Sequence, residues 1–250
     1  MNLKIIACKI LQREISSLAW NCPNMLDVTM LRQRYHSVPV RLHTLLQEEI
    51  DRIEGEEDPY TNGEITFDAI LLGYGLCSNA LIGLHSSKYP LVIPRAHDCT
   101  TLFIGSKEAY QEYFDTCKGT YFYNRDWMEL GQGMDEQYMA RKYNEYLEKF
   151  EDEDTVEYLM QMEREMIANY KCAAYISWPE FVDYDKDCRE AVRELAAQKS
   201  WEYMEISGSN SLLKKMLDGE WNPEDFLIVE PGWEVAADSG TQIIKAVKKQ

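Results

Sequence analysis

The chain is predicted to be an α/β protein with a mostly parallel sheet and helices on both faces. Three observations carry that expectation. Short apolar runs of strand length alternate with longer segments whose apolar residues recur at helical spacing. Two of the runs, Ala69-Ile70-Leu71-Leu72 and Leu91-Val92-Ile93-Pro94, are continuously apolar, as strands covered on both faces are. With 250 residues, 45% of them hydrophobic, the chain buries a sizeable core and is not disordered.

The elements follow in order. Leu3-Lys4-Ile5-Ile6-Ala7 reads as a strand ending on Cys8, and residues 27–31 as a second. Leu42, Leu45, Leu46, Ile50 and Ile53 share one helical face, with Gln47, Glu48, Glu49, Asp51 and Arg52 mostly opposite. An acidic Pro/Gly-containing loop follows at 54–63, then the strand at 67–72 and a Gly73-Tyr74-Gly75 turn. A helix is expected to begin at 78–84, and a strand at 91–94. The second half repeats the rhythm: helix 106–114, strand 120–123, and a long helical stretch at 134–169 broken by an acidic patch at 151–154. Strand 172–177, helix 185–198, strand 201–206, a helix at 211–217 capped by Ser209 or Asn210, and a last strand at 226–229 complete it. The whole, residues 1–250, reads as one α/β domain. The long helical stretch suggests a division into Rossmann-like lobes at 1–133 and 134–250.

Charge and composition exclude several classes. Lys and Arg number 26 against 43 Asp and Glu, a net charge of −17. Such a surface repels phosphate backbones, so nucleic acid and anionic membranes are not expected partners. No apolar run is long enough to span a bilayer. Residues 1–8 carry one lysine and a short apolar stretch without a signal-peptide hydrophobic region, so a soluble cytoplasmic protein is expected. Seven cysteines, at 8, 22, 77, 99, 117, 172 and 188, favour free, metal-bound or catalytic thiols over a disulfide framework.

The chemistry is expected at strand ends. Cys8 ends the first strand, Cys77 stands just beyond the Gly-Tyr-Gly turn, and His97 and Cys99 follow the strand at 91–94. In an open parallel sheet these ends lie together on the carboxyl edge, where ligands bind. Three thiolates and an imidazole are a complete tetrahedral zinc set, and three of them leave a catalytic position open. Three cysteines alone serve equally to hold an iron–sulfur cluster. The candidate ligands are therefore Cys8, Cys77, His97 and Cys99, for zinc or alternatively an iron–sulfur cluster. In an extended segment His97 and Cys99 point to the same side, so His97 is either the fourth ligand or a general base beside the open position. Asp98 is a candidate to orient the imidazole, and Arg95 to hold a substrate carboxylate. The competing interpretation makes the thiols core residues and Arg95–Asp98 a local ion pair.

Other motifs carry less. Gly73, Gly75, Ser78 and Asn79 form a turn superficially like a dinucleotide-binding one and are the candidate cofactor contacts, but the third glycine and the following acid are missing. Ser207-Gly208-Ser209-Asn210 before a helix suits either an anion or a plain cap. Cys22, Cys117, Cys172 and Cys188 read as core or inert, and His36, His43 and His85 lack chelating neighbours. There is no Gly-x-Ser-x-Gly elbow for a serine hydrolase.

Leu71-Leu72-Gly73-Tyr74-Gly75-Leu76-Cys77-Ser78-Asn79 and Pro94-Arg95-Ala96-His97-Asp98-Cys99 resemble the signature blocks of a prokaryotic family, the domain of unknown function numbered 1638. The similarity extends to Ala7-Cys8, Gly119-Thr120-Tyr121-Phe122, Leu212-Leu213 and Gly219-Glu220-Trp221. Ser207-Gly208-Ser209-Asn210 departs from the more acidic Gly-Asp turn expected there. The resemblance implies anaerobic hosts and a genomic setting beside corrinoid-dependent methyltransferases. It thereby suggests a metal-dependent enzyme of one-carbon metabolism acting on a small-molecule substrate, with methyl transfer as the reaction and a corrinoid protein as a partner. The alternative is a non-catalytic corrinoid or metal carrier, or an accessory protein for a methyltransferase, and a third class is an acidic scaffold with structural cysteines. The corrinoid-binding Asp-x-His-x-x-Gly signature is absent.

Overall fold

Backbone pairing in the computed structural model builds a five-stranded sheet in the order β2-β1-β3-β4-β8, a three-stranded sheet β5-β6-β7 and a β9–β10 hairpin. Residues 1–33, 35–55, 66–116, 118–130, 133–134, 137–150 and 152–249 are described. Most of the expected acidic loop at 54–63, Cys117, residue 151 of the acidic patch and the side chain of His36 lie outside them. The elements in chain order are β1 (Asn2–Cys8), α1 (Gln12–Ala19), β2 (Met25–Leu31), α2 (Pro39–Glu54), β3 (Ala69–Gly73), β4 (Leu91–Pro94), α3 (Cys99–Ile104) and α4 (Lys107–Thr116). There follow β5 (Thr120–Tyr123), α5 (Arg125–Glu129), α6 (Tyr138–Lys149), α7 (Glu153–Ala168), β6 (Cys172–Ser177), α8 (Lys186–Gln198) and β7 (Glu202–Ser207). The chain closes with α9 (Ser211–Asp218), β8 (Phe226–Val229), β9 (Trp233–Ala237) and β10 (Ile244–Lys248).

Two compact units emerge: Met1–Tyr110 with Ser209–Gln250, and Gln111–Gly208. The expected division at residue 134 coincides with neither boundary. In the first unit β1, β2, β3 and β4 run parallel, and β8 closes the edge antiparallel to β4. β1 leads through α1 to β2 on one side, and β2 then returns past β1 to β3 on the other. Because such crossovers are right-handed almost without exception, the reversal sends α1 and α2 to opposite faces. Leu42, Leu46, Ile50 and Ile53 of α2 pack with Ile6, Ile70, Leu72, Leu91 and Ile93 in one core, which accounts for their spacing in the sequence. Lys4 is 1% exposed in the middle of β1 and reaches Asp27, its register partner on β2, at 2.8 Å.

The second unit is a parallel β5-β6-β7 sheet with α8 against β6 and β7. Its core is Tyr123, Ala173, Tyr175, Val192, Leu195 and Ala196. α6 and α7 pair through Glu163 of α7, which accepts from Tyr138 Oη at 3.0 Å and Tyr146 Oη at 2.5 Å.

Two expectations are corrected. No helix begins at Ser78: Cys77, Ser78 and Asn79 have φ of 47°, 57° and 69°, a left-handed turn that a right-handed helix cannot contain. And β8 is not the last strand, because the β9–β10 hairpin follows it. That hairpin buries Val235 and Ile244 but leaves much of its length half-exposed, so it lacks the continuous apolar run of the sheet strands.

Candidate metal centre

The strand order 2-1-3-4 places a topological switch point between β1 and β3, whose exiting loops depart in opposite directions. The crevice this opens at the carboxyl ends is where ligands bind in such sheets. Cys8 is the final residue of β1, and the β1–β3 ladder ends at Ala7 opposite Gly73. Gly73 permits that approach, since a Cβ there would lie 2.6 Å from the Ala7 Cβ. Tyr74 follows at once, its N–H donating to Leu72 O at 2.9 Å, a tight bend that carries the chain off the strand.

The loops after β3 and β4 are tied together by their backbones. Leu76 N donates to Ala96 O at 2.8 Å and Cys77 N to His97 O at 3.1 Å. Gly75 makes the crossing, for a Cβ there would lie 2.6 Å from both Asp98 N and Cα. The left-handed turn at 77–79 follows, a conformation that costs an L-residue about 1–2 kcal/mol. Cys99 begins α3, whose cap is Asp98: its carboxylate accepts from Thr100 N at 2.9 Å and from Tyr110 Oη at 3.2 Å.

Three thiols thus arrive from three strand ends. Burial pushes Cys8 up to about 11, against a lowering contribution from the Ile10 backbone. Burial, then the charges of Cys8 and Asp98, push Cys77 up to about 12. Cys99 is raised well above the ordinary thiol value by burial first, then by Asp98, Cys77 and Cys8. Each is therefore a neutral thiol near pH 7 and not an activated nucleophile. Ionisation of Cys8 would disfavour that of Cys77 and Cys99, which places the three thiols in one neighbourhood. They are not a finished chelate: among the described residues no three His, Cys, Asp or Glu are grouped to hold a metal ion.

The same edge collects polar groups without partners. Tyr74 Oη, both ends of the Gln33 amide and Thr101 Oγ1 are buried with no hydrogen bond, at 3%, 5% and 1% residue exposure. They follow the carboxyl ends of β3, β2 and β4 respectively. Buried polar side-chain atoms are overwhelmingly paired in native proteins; Tyr175 Oη in the second unit is likewise without a hydrogen bond. Nothing in the sequence pattern singled these residues out, because a tyrosine, glutamine or threonine becomes informative only once its burial is known.

The remaining expected site residues are placed otherwise. His97 is exposed and shares with Cys77 only its carbonyl. The expected alternation with Cys99 fails because Cys99 is already helical. Arg95 donates to the carbonyls of Pro223 at 2.8 Å and Gln242 at 2.9 Å, and to that of Ile244, tying β4 to the carboxyl-terminal segment. Ser78 and Asn79 are exposed on the left-handed turn. Asn210, not Ser209, is the N-cap of α9, and Ser209 Oγ accepts from Ser211 N at 3.2 Å just before it. Cys22 donates to Leu217 O at 3.3 Å, Cys172 is buried in β6, and Cys188 is half-buried in α8. His43 Nδ1 lies 3.1 Å from Ala80 O and His85 Nδ1 3.0 Å from Gly83 O, both satisfied locally.

No curated protein and no solved structure matches the chain. A family model described as "Protein of unknown function (DUF1638)" matches residues 30–217, spanning the loops that carry Cys77 and Cys99, and the chain belongs to that family.

Proposed function

We propose that this protein is a metal-dependent enzyme of one-carbon metabolism in which Cys8, Cys77 and Cys99 hold a zinc ion at the carboxyl edge of the five-stranded sheet. The observation that supports the reading is the arrival of three half-buried thiols from the ends of three strands at the β1/β3 switch point, on loops tied by the Leu76–Ala96 and Cys77–His97 backbone bonds. The donor chemistry fits a thiophilic ion. Desolvated thiols without a cation beside them gain nothing from ionising, whereas coordination deprotonates a thiol outright. Zinc held by thiolates, when bound, supplies a Lewis acid able to keep a further sulfur or oxygen deprotonated at neutral pH.

The chain's own residues do the rest. The Gly75 crossing and the rung from Cys77 N to His97 O hold the two thiol loops together, and Asp98 fixes the start of α3 on which Cys99 sits. His97, exposed on the joined loop, is the proton acceptor on the open side. Methyl transfer as the reaction comes from the family resemblance. The test is anaerobic purification of the full chain with elemental analysis and a visible spectrum. A colourless protein with equimolar zinc, lost in Cys77→Ser and Cys99→Ser and largely kept in His97→Ala, supports the reading. A coloured, iron-containing protein replaces zinc by a cluster, and full metal retention by all three variants makes these cysteines core residues.

A further inference from the structure

The amino edge of the three-stranded sheet in the second unit opens into a cleft of about 790 Å³, within the range of small-molecule sites. Lys118 precedes β5, Lys171 precedes β6, and Lys199 caps the end of α8 before β7, so each strand of this sheet brings one ammonium to the lining. In a chain of 26 cationic against 43 anionic side chains such a convergence needs a cause. Among the described residues none of the three makes an ion pair, and Lys199 lies only over the Trp201 ring, 5.4 Å from its centroid. Helix ends are the obvious cause, since α4, α7 and α8 finish here at Thr116, Ala168 and Gln198 and carbonyl ends favour cations. Those carbonyls are already answered by the backbone. Leu195, Ala196 and Ala197 accept from Lys199 N, Trp201 N and Ser200 N at 3.0, 2.8 and 3.1 Å, and Met166 and Ile167 from Asn169 N and Tyr170 N at 3.1 and 3.0 Å. The ammoniums are left over.

Two further observations point to a ligand. Tyr170 and Trp201, both half-buried, line the same cleft with ring centroids 5.9 Å apart and offer apolar faces to a planar ring. Ser200 sits at φ 56° just past α8, a left-handed position where glycine is the ordinary residue; serine bears the strain and adds a hydroxyl to the lining. Glu202 is the one acidic side chain in the described lining, against three ammoniums. We propose that this cleft binds a nucleotide, a di- or triphosphate whose oxygens lie among Lys118, Lys171 and Lys199 and whose base lies against Trp201 and Tyr170. Ammoniums recognise phosphate as point charges, and stacking on an aromatic face accepts any base. A free nucleotide fits and a nucleic-acid strand does not, because a chain at −17 repels phosphates beyond the cleft. The cleft shares no residue with the thiol loops, so this inference does not rest on the metal reading.

The test is isothermal titration calorimetry of the full chain with ADP, ATP, pyrophosphate and adenosine, in EDTA so that no metal takes part. Both nucleotides should bind, each more tightly than pyrophosphate or adenosine, and their affinity should fall as salt is raised. Lys171→Ala combined with Lys199→Ala should lower nucleotide affinity about 10-fold or more. Lys186→Ala, which removes an exposed lysine at the start of α8 outside the cleft, should leave it unchanged. Both variants should melt at the wild-type temperature. Lysines that only answer the helix ends would give a double variant that melts lower and a wild type that binds no nucleotide, and that result overturns the inference. Pyrophosphate binding as tightly as ADP overturns it too, since the rings would then contribute nothing. So does an equal loss in Lys186→Ala, or a short RNA that outcompetes ADP.

Discussion

Gly75→Ala strikes the crossing on which the candidate centre depends. The added Cβ would stand 2.6 Å from Asp98 N and Cα and 2.7 Å from its carbonyl carbon, all backbone atoms that no rotamer change can move aside. The φ of Gly75 is not among the positive values, so the penalty is steric and not conformational. Relief requires the loops after β3 and β4 to part, which breaks the bonds from Leu76 N to Ala96 O and from Cys77 N to His97 O. Overpacking of this kind costs about 1–3 kcal/mol, and each hydrogen bond adds about 1 kcal/mol. Because the two losses overlap, a total of about 2–4 kcal/mol is expected. Urea unfolding of the variant should show a lower midpoint with an unchanged slope. Titration of the folded protein with a thiol reagent should show faster modification, since the rung that holds Cys77 is gone. A variant within about 0.5 kcal/mol of the wild type, with its thiols equally protected, would refute the claim that this close approach holds the two loops together.

Three further outcomes follow from the same structure. Ser78→Gly should stabilise the protein by about 0.5–1 kcal/mol, because glycine relieves the left-handed strain at φ 57° and gives back part of that gain as unfolded-state entropy; a loss of stability in chemical denaturation would contradict it. Asp27→Ala should destabilise the protein by removing the carboxylate 2.8 Å from the buried Lys4 ammonium, while Lys4→Met should cost less; equal losses in thermal melts would sink the argument. At Asp225 burial pushes the carboxyl up, but the Asn222 amide and the Lys215 ammonium, 2.8 and 2.7 Å away, outweigh it and hold the carboxyl below the ordinary value. Its folded value is therefore the lower one, so its contribution to stability is complete above about pH 4 and lost as pH falls through the folded value. The stability gap between wild type and Asp225→Asn should accordingly narrow only on acidification, and a gap that is constant with pH would contradict this.

Much of the fold was legible in the residues themselves. The continuous apolar runs at Ala69–Gly73 and Leu91–Pro94 are fully buried strands, and the α2 stripe of Leu42, Leu46, Ile50 and Ile53 faces the core. The thiols could be assigned to one edge because a parallel sheet aligns its strand ends. What could not be read was local. Ser78 to Leu84 is apolar enough for a helix, and only the left-handed backbone at 77–79, fixed by the loop crossing, prevents one. His97 and Cys99 were expected on one side of an extended segment, but the Asp98 cap starts a helix between them. Arg95 reads equally well as a carboxylate clamp or as half of a local ion pair with Asp98, and its bonds to the distant carbonyls of Pro223, Gln242 and Ile244 were not legible in the sequence.

The central claim, that Cys8, Cys77 and Cys99 together bind one metal ion, is tested most directly by X-ray absorption at the zinc edge of the anaerobically loaded protein. The account predicts a nearest shell dominated by sulfur at about 2.3 Å, with three sulfurs in the wild type and fewer, or no bound zinc, in Cys77→Ser. A shell of nitrogen and oxygen alone, at about 2.0–2.1 Å and unchanged by that substitution, would contradict it.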